Sequence, residues 1–110
     1  MRKYILDIYE HRCALCDIDK DDLLICSHIV PWGIDEKNRL NPQNAICLCA
    51  QHDKLFDKGY FSLDENYNII FGKKADDKII NSLKYLSFRK PLEKEPDKEL
   101  LKIHYNGYCK

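Results

Sequence analysis

Two pairs of potential metal ligands share the same spacing in this chain. Cys13 and Cys16 are separated by two residues, and so are Cys49 and His52. Zinc prefers thiolate and imidazole ligands in a tetrahedral arrangement, and a two-residue spacer lets both side chains of a pair face one ion. The spacing therefore predicts a structural zinc site that joins the two pairs. The 32 residues between them must carry structure of their own.

The chain has six cysteines, and the alternative to metal binding is that they are small buried apolar residues. We favour that interpretation for Cys26, Cys47 and Cys109. Cys47 and Cys49 would share a face of a strand, so Cys47 is the substitute ligand if Cys49 is not one. Disulfides are disfavoured because the N-terminus has the pattern of a helix and not of a signal peptide. We therefore expect a cytoplasmic protein.

Two aspartates form a second candidate ligand set. Asp53 and Asp57 are four residues apart in a segment with a helical pattern, so both carboxylates lie on one helix face. Carboxylates at this spacing can converge on a hard cation such as Mg²⁺. Taken alone, they fit better a solvated helix face shared with Lys54 and Lys58.

A histidine stands close to these aspartates in the predicted fold. His28 follows a short apolar run, and Asn44 directly precedes another. A single histidine beside apolar residues is more often structural than catalytic. The presence of an amide and two carboxylates nearby favours a catalytic role, since imidazole can accept a proton from water near neutral pH.

These motifs together resemble the HNH endonuclease family. The order is Cys-x-x-Cys, Ser-His-Ile-x-Pro-Trp, Arg-x-x-Pro-x-Asn and Cys-x-x-His-Asp-x-x-Phe-Asp-x-Gly. The likeness is to the restriction-enzyme branch with the His-Ile-x-Pro-Trp signature. It covers residues 13–63 and extends weakly to 110, where a helix containing His104 is similar to family tails.

The resemblance implies roles for individual residues. By position, His28 is the general base and Asn44 holds the histidine loop in place. Asp53 and Asp57 hold the catalytic ion, Mg²⁺ or Mn²⁺. Arg39 is similar to a loop arginine that either contacts phosphate or braces the loop. The implied substrate is DNA, and the implied reaction is hydrolysis of a phosphodiester bond.

The chain departs from the family pattern at two positions. Ser27 stands where many members have an acidic or histidine metal ligand, and Asp53 stands where the family name has its last histidine. In an alternative register, His52 binds the catalytic ion and the zinc site is incomplete.

The elements that position these residues follow from apolar periodicity and turn signals. The resemblance implies an α+β fold, a ββα-metal core with a zinc knuckle site, flanking helices and an extra β-hairpin. We predict one nuclease domain over 1–110, with the knuckles and core at 13–60, the hairpin at 61–72 and C-terminal helices at 76–106. In detail, the patterns predict helices at 2–10, 51–58, 78–88 and 97–105, strands at 23–30 and 45–49, a loop at 33–44 and a linker at 90–96.

Composition is that of an ordinary soluble domain, or of a fragment of a larger chain. The formal net charge is zero, which gives no support for a dedicated nucleic-acid binder. A DNA substrate would therefore require a local basic patch, a homodimer or an additional DNA-reading domain. A zinc-stabilised nucleic-acid-binding module without catalysis is the alternative function. A redox protein that uses Cys13 and Cys16 is disfavoured, because no long βαβ unit follows them.

Overall fold

The computed structural model describes residues 1–31 and 36–110. Trp32 of the His-Ile-x-Pro-Trp signature and the first positions of the predicted loop, 33–35, lie outside the described residues. Within the described ranges, no helix combines the length and the apolar character needed to cross a bilayer.

Two antiparallel strands and the helix that follows them form the centre of the fold. Strand β1 (Leu24–His28) pairs with β2 (Ala45–Cys49), so that Leu24 lies opposite Cys49 and His28 lies opposite Ala45. Helix α2 (Ala50–Asp57) begins directly after β2 and packs against both strands. All of β2 is buried, as its continuous apolar run predicts.

Strand β1 is less buried and shorter than its sequence predicts. Ile25 is 37% exposed, because a sheet of only two strands leaves part of one face open. The strand ends at His28 and does not continue to Val30. The physical reason is Asn44, whose side chain takes over both the N–H and the C=O of Val30.

Helix α1 (Arg2–Ile8) covers the central strands with Ile5, Leu6 and Ile8. The helix ends three residues before His11, where the sequence pattern placed its end. Glu10 and His11 have positive φ values of 60° and 54°, which a right-handed helix cannot contain. This left-handed turn brings the chain back toward the strands and leads directly into Cys13.

A second pair of short strands follows α2. Strand β3 (Phe61–Leu63) pairs antiparallel with β4 (Ile69–Phe71). Asp64 closes the turn between them, because its carboxylate accepts hydrogen bonds from the backbone N–H groups of Asn66 and Asn68.

Helix α3 (Asp77–Leu83) is capped by Asp76 and ends five residues before the predicted position 88. Beyond it the backbone bonds to distant segments, with Arg89 N–H donating to Ala14 and Leu92 N–H donating to Ile8. The apolar residues after Leu83 therefore belong to an extended segment that packs on the core. The predicted linker at 90–96 is correspondingly docked against the rest of the protein.

Helix α4 (Lys98–His104) begins as its sequence predicts. The Asp97 carboxylate accepts hydrogen bonds from the N–H groups of Glu99 and Leu100. The sequence pattern predicts an apolar face of Leu100, Leu101 and Ile103, but Ile103 is 51% exposed and His104 is buried instead. The helix continues as a π-helical turn, Tyr105–Cys109.

Two glycines allow three segments to meet at the end of α2. Gly59 has φ +78°, and a Cβ there would lie 2.0 Å from the carbonyl oxygen of Tyr108. A Cβ on Gly72 would lie 2.0 Å from the carbonyl oxygen of Gly59. The end of α2, the end of β4 and the C-terminal turn are thus in backbone contact.

Substitution of Gly59 by alanine should destabilise the protein. The left-handed conformation and the clash with the Tyr108 carbonyl together should lower the free energy of unfolding by roughly 2–4 kcal/mol. Urea unfolding monitored by circular dichroism measures the change. Gly107→Ala is the matched control, because a Cβ there meets no atom within 4 Å. Equal effects of the two substitutions would contradict this account of Gly59.

Candidate functional site

Four potential zinc ligands come together in the structure. The ligand atoms of Cys13, Cys16, Cys49 and His52 all lie within 4.8 Å of one another. The His52 Nδ1 is 3.3 Å from the Cys49 Sγ and 3.7 Å from the Cys13 Sγ, and the Cys16 Sγ is 3.9 Å from the Cys49 Sγ. Across the described part of the chain, this is the only such group of three or more histidine, cysteine or acidic side chains.

These separations fit a tetrahedral zinc ion. Bonds of about 2.3 Å to sulfur and 2.0 Å to nitrogen place the ligands of a tetrahedron about 3.5–3.8 Å apart. The observed distances of 3.3–3.9 Å bracket that range. A set of three thiols and one imidazole also has the chemistry of a structural zinc site, in which no coordination position is left for a substrate.

The local backbone explains how each pair is presented. In the first pair, the N–H of Cys13 donates to the Ile18 carbonyl, and the N–H of Leu15 donates to the Cys13 sulfur. In the second pair, Cys49 is both the last residue of β2 and the N-cap of α2, so His52 lies in the first turn of that helix. A zinc ion would tie the N-terminal turn to the strand–helix junction.

The protonation of the thiols is set by burial and by their neighbours. Burial raises the pKa of Cys16 to about 12 and also raises the pKa of Cys49. For Cys13, hydrogen bonds from His52 and from backbone N–H groups outweigh burial and lower the pKa to about 6. Zinc binding must therefore displace protons, which makes its affinity fall as the pH falls.

The other three cysteines lie outside this cluster. Cys47 and Cys109 are buried and Cys26 is half-buried. Burial raises the pKa of all three thiols. Cys47 is held by its backbone, since its carbonyl accepts a hydrogen bond from the N–H of Ala14.

His28 lies at the opposite end of the paired strands β1 and β2, which we call the ladder, from the thiols. It is half-buried at the last position of β1, four residues from Leu24, the residue that faces Cys49. At about 3.3 Å per residue, that is about 13 Å along the strand. Among the residues that the structure describes, none forms a hydrogen bond with the His28 imidazole.

Asn44 is fully buried and fixes the backbone that follows His28. Its Oδ1 accepts from the N–H of Val30 at 2.9 Å, and its Nδ2 donates to the carbonyl of Val30 at 2.9 Å. Nδ2 also donates to the carbonyl of Asn38 at 3.1 Å, and the Asn44 carbonyl accepts from the N–H of Ile29 at 2.9 Å. One side chain thus holds the end of β1 and the long loop together.

The two aspartates lie on α2, with Asp53 half-buried and Asp57 exposed at the last helical residue. Together with His28 they do not form a group with all ligand atoms within 4.8 Å. Arg39 is exposed in the turn that follows a short 3-10 helix, Glu36–Asn38.

His104 supports α2 in a way that sequence periodicity did not reveal. The imidazole is 2% exposed and stacks on the Phe56 ring, with the ring centroids 3.9 Å apart. Its Nε2 lies 2.9 Å from the Phe56 carbonyl oxygen, so this nitrogen carries the proton. Its Nδ1, 2.9 Å from the Ser62 Oγ, then accepts from that hydroxyl. The signal in the sequence was the spacing of His104 from Leu100 and Leu101.

Comparison with known proteins shows which family and which solved structure this chain resembles. Residues 13–64 match the HNH endonuclease family. Comparison with curated proteins finds no similar sequence. Among solved structures, the fold is similar to that of a modification dependent TagI restriction endonuclease, with a TM-score of 0.74 and 19% sequence identity. The alignment covers 98% of this chain and 37% of that chain.

The fold is α+β, and it brings together a Cys₃His group that could hold a metal ion. Residues 13–64, a little under half of the chain, match the HNH endonuclease family, which supports a nuclease. The structural likeness extends over nearly the whole chain, so α1, α3 and α4 belong to the shared fold as well. The chain spans a little over a third of the length of the restriction endonuclease that it resembles.

We expect one zinc ion per chain, detectable by elemental analysis. Cys16→Ser should abolish zinc binding and lower the melting temperature by roughly 10 °C or more, because structural zinc contributes directly to folding. Cys26→Ser is the matched control, since that thiol is also half-buried but lies outside the cluster. Full zinc content in Cys16→Ser would contradict the assignment.

His104 should make stability depend on pH. Burial lowers the pKa of His104 to about 4, although the Phe56 carbonyl and the Asp57 carboxylate both raise it. The unfolded chain, with an ordinary histidine pKa of about 6.5, then binds the proton first as the pH falls. Stability is complete above pH 6.5 and declines toward pH 4, by about 3 kcal/mol in total.

The measurement is urea unfolding of wild type and His104→Gln between pH 7 and pH 4.5. The difference in unfolding free energy between the two proteins should shrink as the pH falls, while any loss of zinc affects both equally. A difference that stays constant over this range would show that His104 does not carry the effect.

Proposed function

We propose that the protein is a metal-dependent DNA endonuclease that hydrolyses phosphodiester bonds, with His28 as the general base. The observation that carries this proposal is the pair of hydrogen bonds from buried Asn44 to the backbone immediately after His28. The Asn44 side chain makes three hydrogen bonds, two to Val30 and one to Asn38, and in this proposal it holds the backbone that positions the imidazole.

His28 is suited to take a proton from an attacking water. It is half-buried, and no protein group in the described ranges occupies its nitrogens. A neutral imidazole can accept a proton near pH 7, and positioning such a base contributes about 10²–10⁴-fold to a rate. In this proposal the Asn44-braced loop orients the ring, and the ring deprotonates the water that attacks phosphorus.

Asp53 and Asp57 are the proposed ligands of Mg²⁺ or Mn²⁺. Their spacing puts both carboxylates on one face of α2, and oxygen ligands are those that hard cations prefer. When bound, the ion would stabilise the charge that develops on the phosphate and on the leaving oxygen. In such a site, one or two carboxylates would hold the Mg²⁺ ion and the substrate would supply further oxygens.

The proposed zinc site is separate from this chemistry. The cluster lies at the other end of the ladder, about 13 Å along β1 from His28. Helix α2 begins at the cluster and spans about 12 Å, which is long enough to carry Asp57 back toward the level of His28. The zinc would anchor the start of the helix whose end carries the catalytic carboxylate.

The similar solved structure supports DNA as the substrate, since it is a restriction endonuclease. That chain is much longer than this one. We therefore infer that recognition of a particular DNA site requires a second copy of this domain or an additional DNA-reading domain. Arg39, exposed beside the Asn44-braced loop, is a candidate for a phosphate contact.

The test is cleavage of supercoiled plasmid by the zinc-loaded protein with Mg²⁺ or Mn²⁺. Wild type should nick or cut the plasmid, and His28→Ala and Asp57→Ala should each lower the rate by at least about 100-fold, since each removes a group in contact with the reacting atoms. Zinc content and melting temperature should stay at wild-type values.

His11→Ala is the matched histidine control. The His11 ring lies at the surface between Asp7 and Asp21, away from the ladder, and its loss should leave cleavage unchanged. If a nuclease-free preparation of His28→Ala cuts at the wild-type rate, the proposed mechanism fails. DNA binding without cleavage under either metal would instead indicate a zinc-stabilised binding module.

A further inference from the structure

Helix α2 places residues of like charge four apart, and among the described residues its opposite charges at neighbour spacing, Lys54 and Asp57, form no ion pair within 4.0 Å. Asp53 and Asp57 are four residues apart, and so are Lys54 and Lys58. Side chains at this spacing are neighbours on a helix, where like charges repel and opposite charges attract. In the described ranges, no carboxylate lies within 4.0 Å of either lysine ammonium group, and both lysines are exposed.

Like charges at this spacing weaken a helix slightly. The arrangement is explained if the two aspartates bind a positively charged group and the two lysines bind a negatively charged one. In the proposed function, the carboxylate row meets a divalent cation. The lysine row is then left to meet an anion on the adjacent face of the helix.

Two further lysines lie near the end of α2, because the contacts between Gly72 and Gly59 bring their segment there. Gly72 lies against the Gly59 carbonyl, and its N–H donates to the Tyr60 carbonyl at 2.9 Å. Lys73 and Lys74 follow Gly72 directly and are exposed. The Lys74 Nζ lies 4.7 Å from the centroid of the Tyr60 ring, one residue beyond Gly59.

Lys58 directly precedes Gly59, and Lys73 and Lys74 directly follow Gly72, so lysines from two distant parts of the sequence come together at the end of α2, with Lys54 one helical turn before Lys58. We call them the lysine surface: Lys54, Lys58, Lys73 and Lys74. None of the four forms an ion pair with a described carboxylate within 4.0 Å. In a chain with zero net charge, this is a local concentration of unpaired positive charge next to Asp57.

We propose that the lysine surface binds the phosphates of a DNA strand beside the phosphodiester that is cut. Lysine ammonium groups bind phosphate oxygens as point charges and do not distinguish bases. The surface would therefore supply affinity and register but no sequence specificity. This inference rests on the proposed function, because the acidic row of the same helix is what places the cleaved bond nearby.

The test measures binding of a short fluorescent DNA duplex by anisotropy at several salt concentrations. All proteins carry His28→Ala, so that the duplex stays intact. Adding Lys58→Ala and Lys73→Ala should weaken binding. It should also reduce the slope of log K against log salt by about 0.9 for each lysine that contacts a phosphate.

The matched control adds Lys3→Ala and Lys20→Ala, which removes the same charge from lysines paired with Asp7 and Asp19. Its salt slope should equal that of the His28→Ala parent. If both double variants change the slope equally, the lysine surface is not a distinct DNA contact and the inference is overturned.

Failure of this inference can be separated from failure of the proposed function. Plasmid cleavage by wild type with an unchanged salt slope in Lys58→Ala/Lys73→Ala overturns only the lysine surface. A reduced slope without wild-type cleavage would support the surface as a DNA contact and overturn the nuclease mechanism. In the cleaving protein, Lys58→Ala/Lys73→Ala should raise KM for plasmid more than it lowers kcat.

Discussion

The structure depends on one junction, where β2 ends and α2 begins. Cys49 and His52 at this junction meet Cys13 and Cys16 from the N-terminal turn. The described residues form two sheets of two strands each, which offer little surface for other elements to pack against. Burial alone stabilises a domain of this size only modestly. A metal held by four side chains from both ends of a 32-residue segment would fix strand, helix and N-terminus relative to one another.

The other end of the ladder is organised by hydrogen bonds instead of metal ligands. The Asn44 amide is buried and hydrogen-bonded to Val30 and Asn38, so it joins the backbone just beyond β1 to the segment that precedes β2. In the proposed nuclease, a Cys₃His zinc cluster and an imidazole that acts on substrate would need different surroundings. The cluster needs closed coordination, whereas the imidazole needs open nitrogens.

The C-terminal part of the chain supports the same helix from the far side. His104 is neutral and buried, and its bonds to the Phe56 carbonyl and the Ser62 hydroxyl join α4 to α2 and β3. Gly59 admits the C-terminal turn to the end of α2 at a distance that no side chain would allow. The position of Asp57, beside these contacts, thus depends on residues nearly fifty positions later in the chain.

The sequence by itself determined the features that arise from local spacing: the paired ligands at Cys13 and Cys49, the apolar run of β2 and the cap at Asp97. Local chemistry is enough for these, because their partners are a few residues away or share one ligand preference. The sequence could not determine the early end of α3 or the burial of His104, and it predicted a free linker at 90–96. Those outcomes depend on backbone and side-chain partners distant in the chain, and only the tertiary structure brings such partners together.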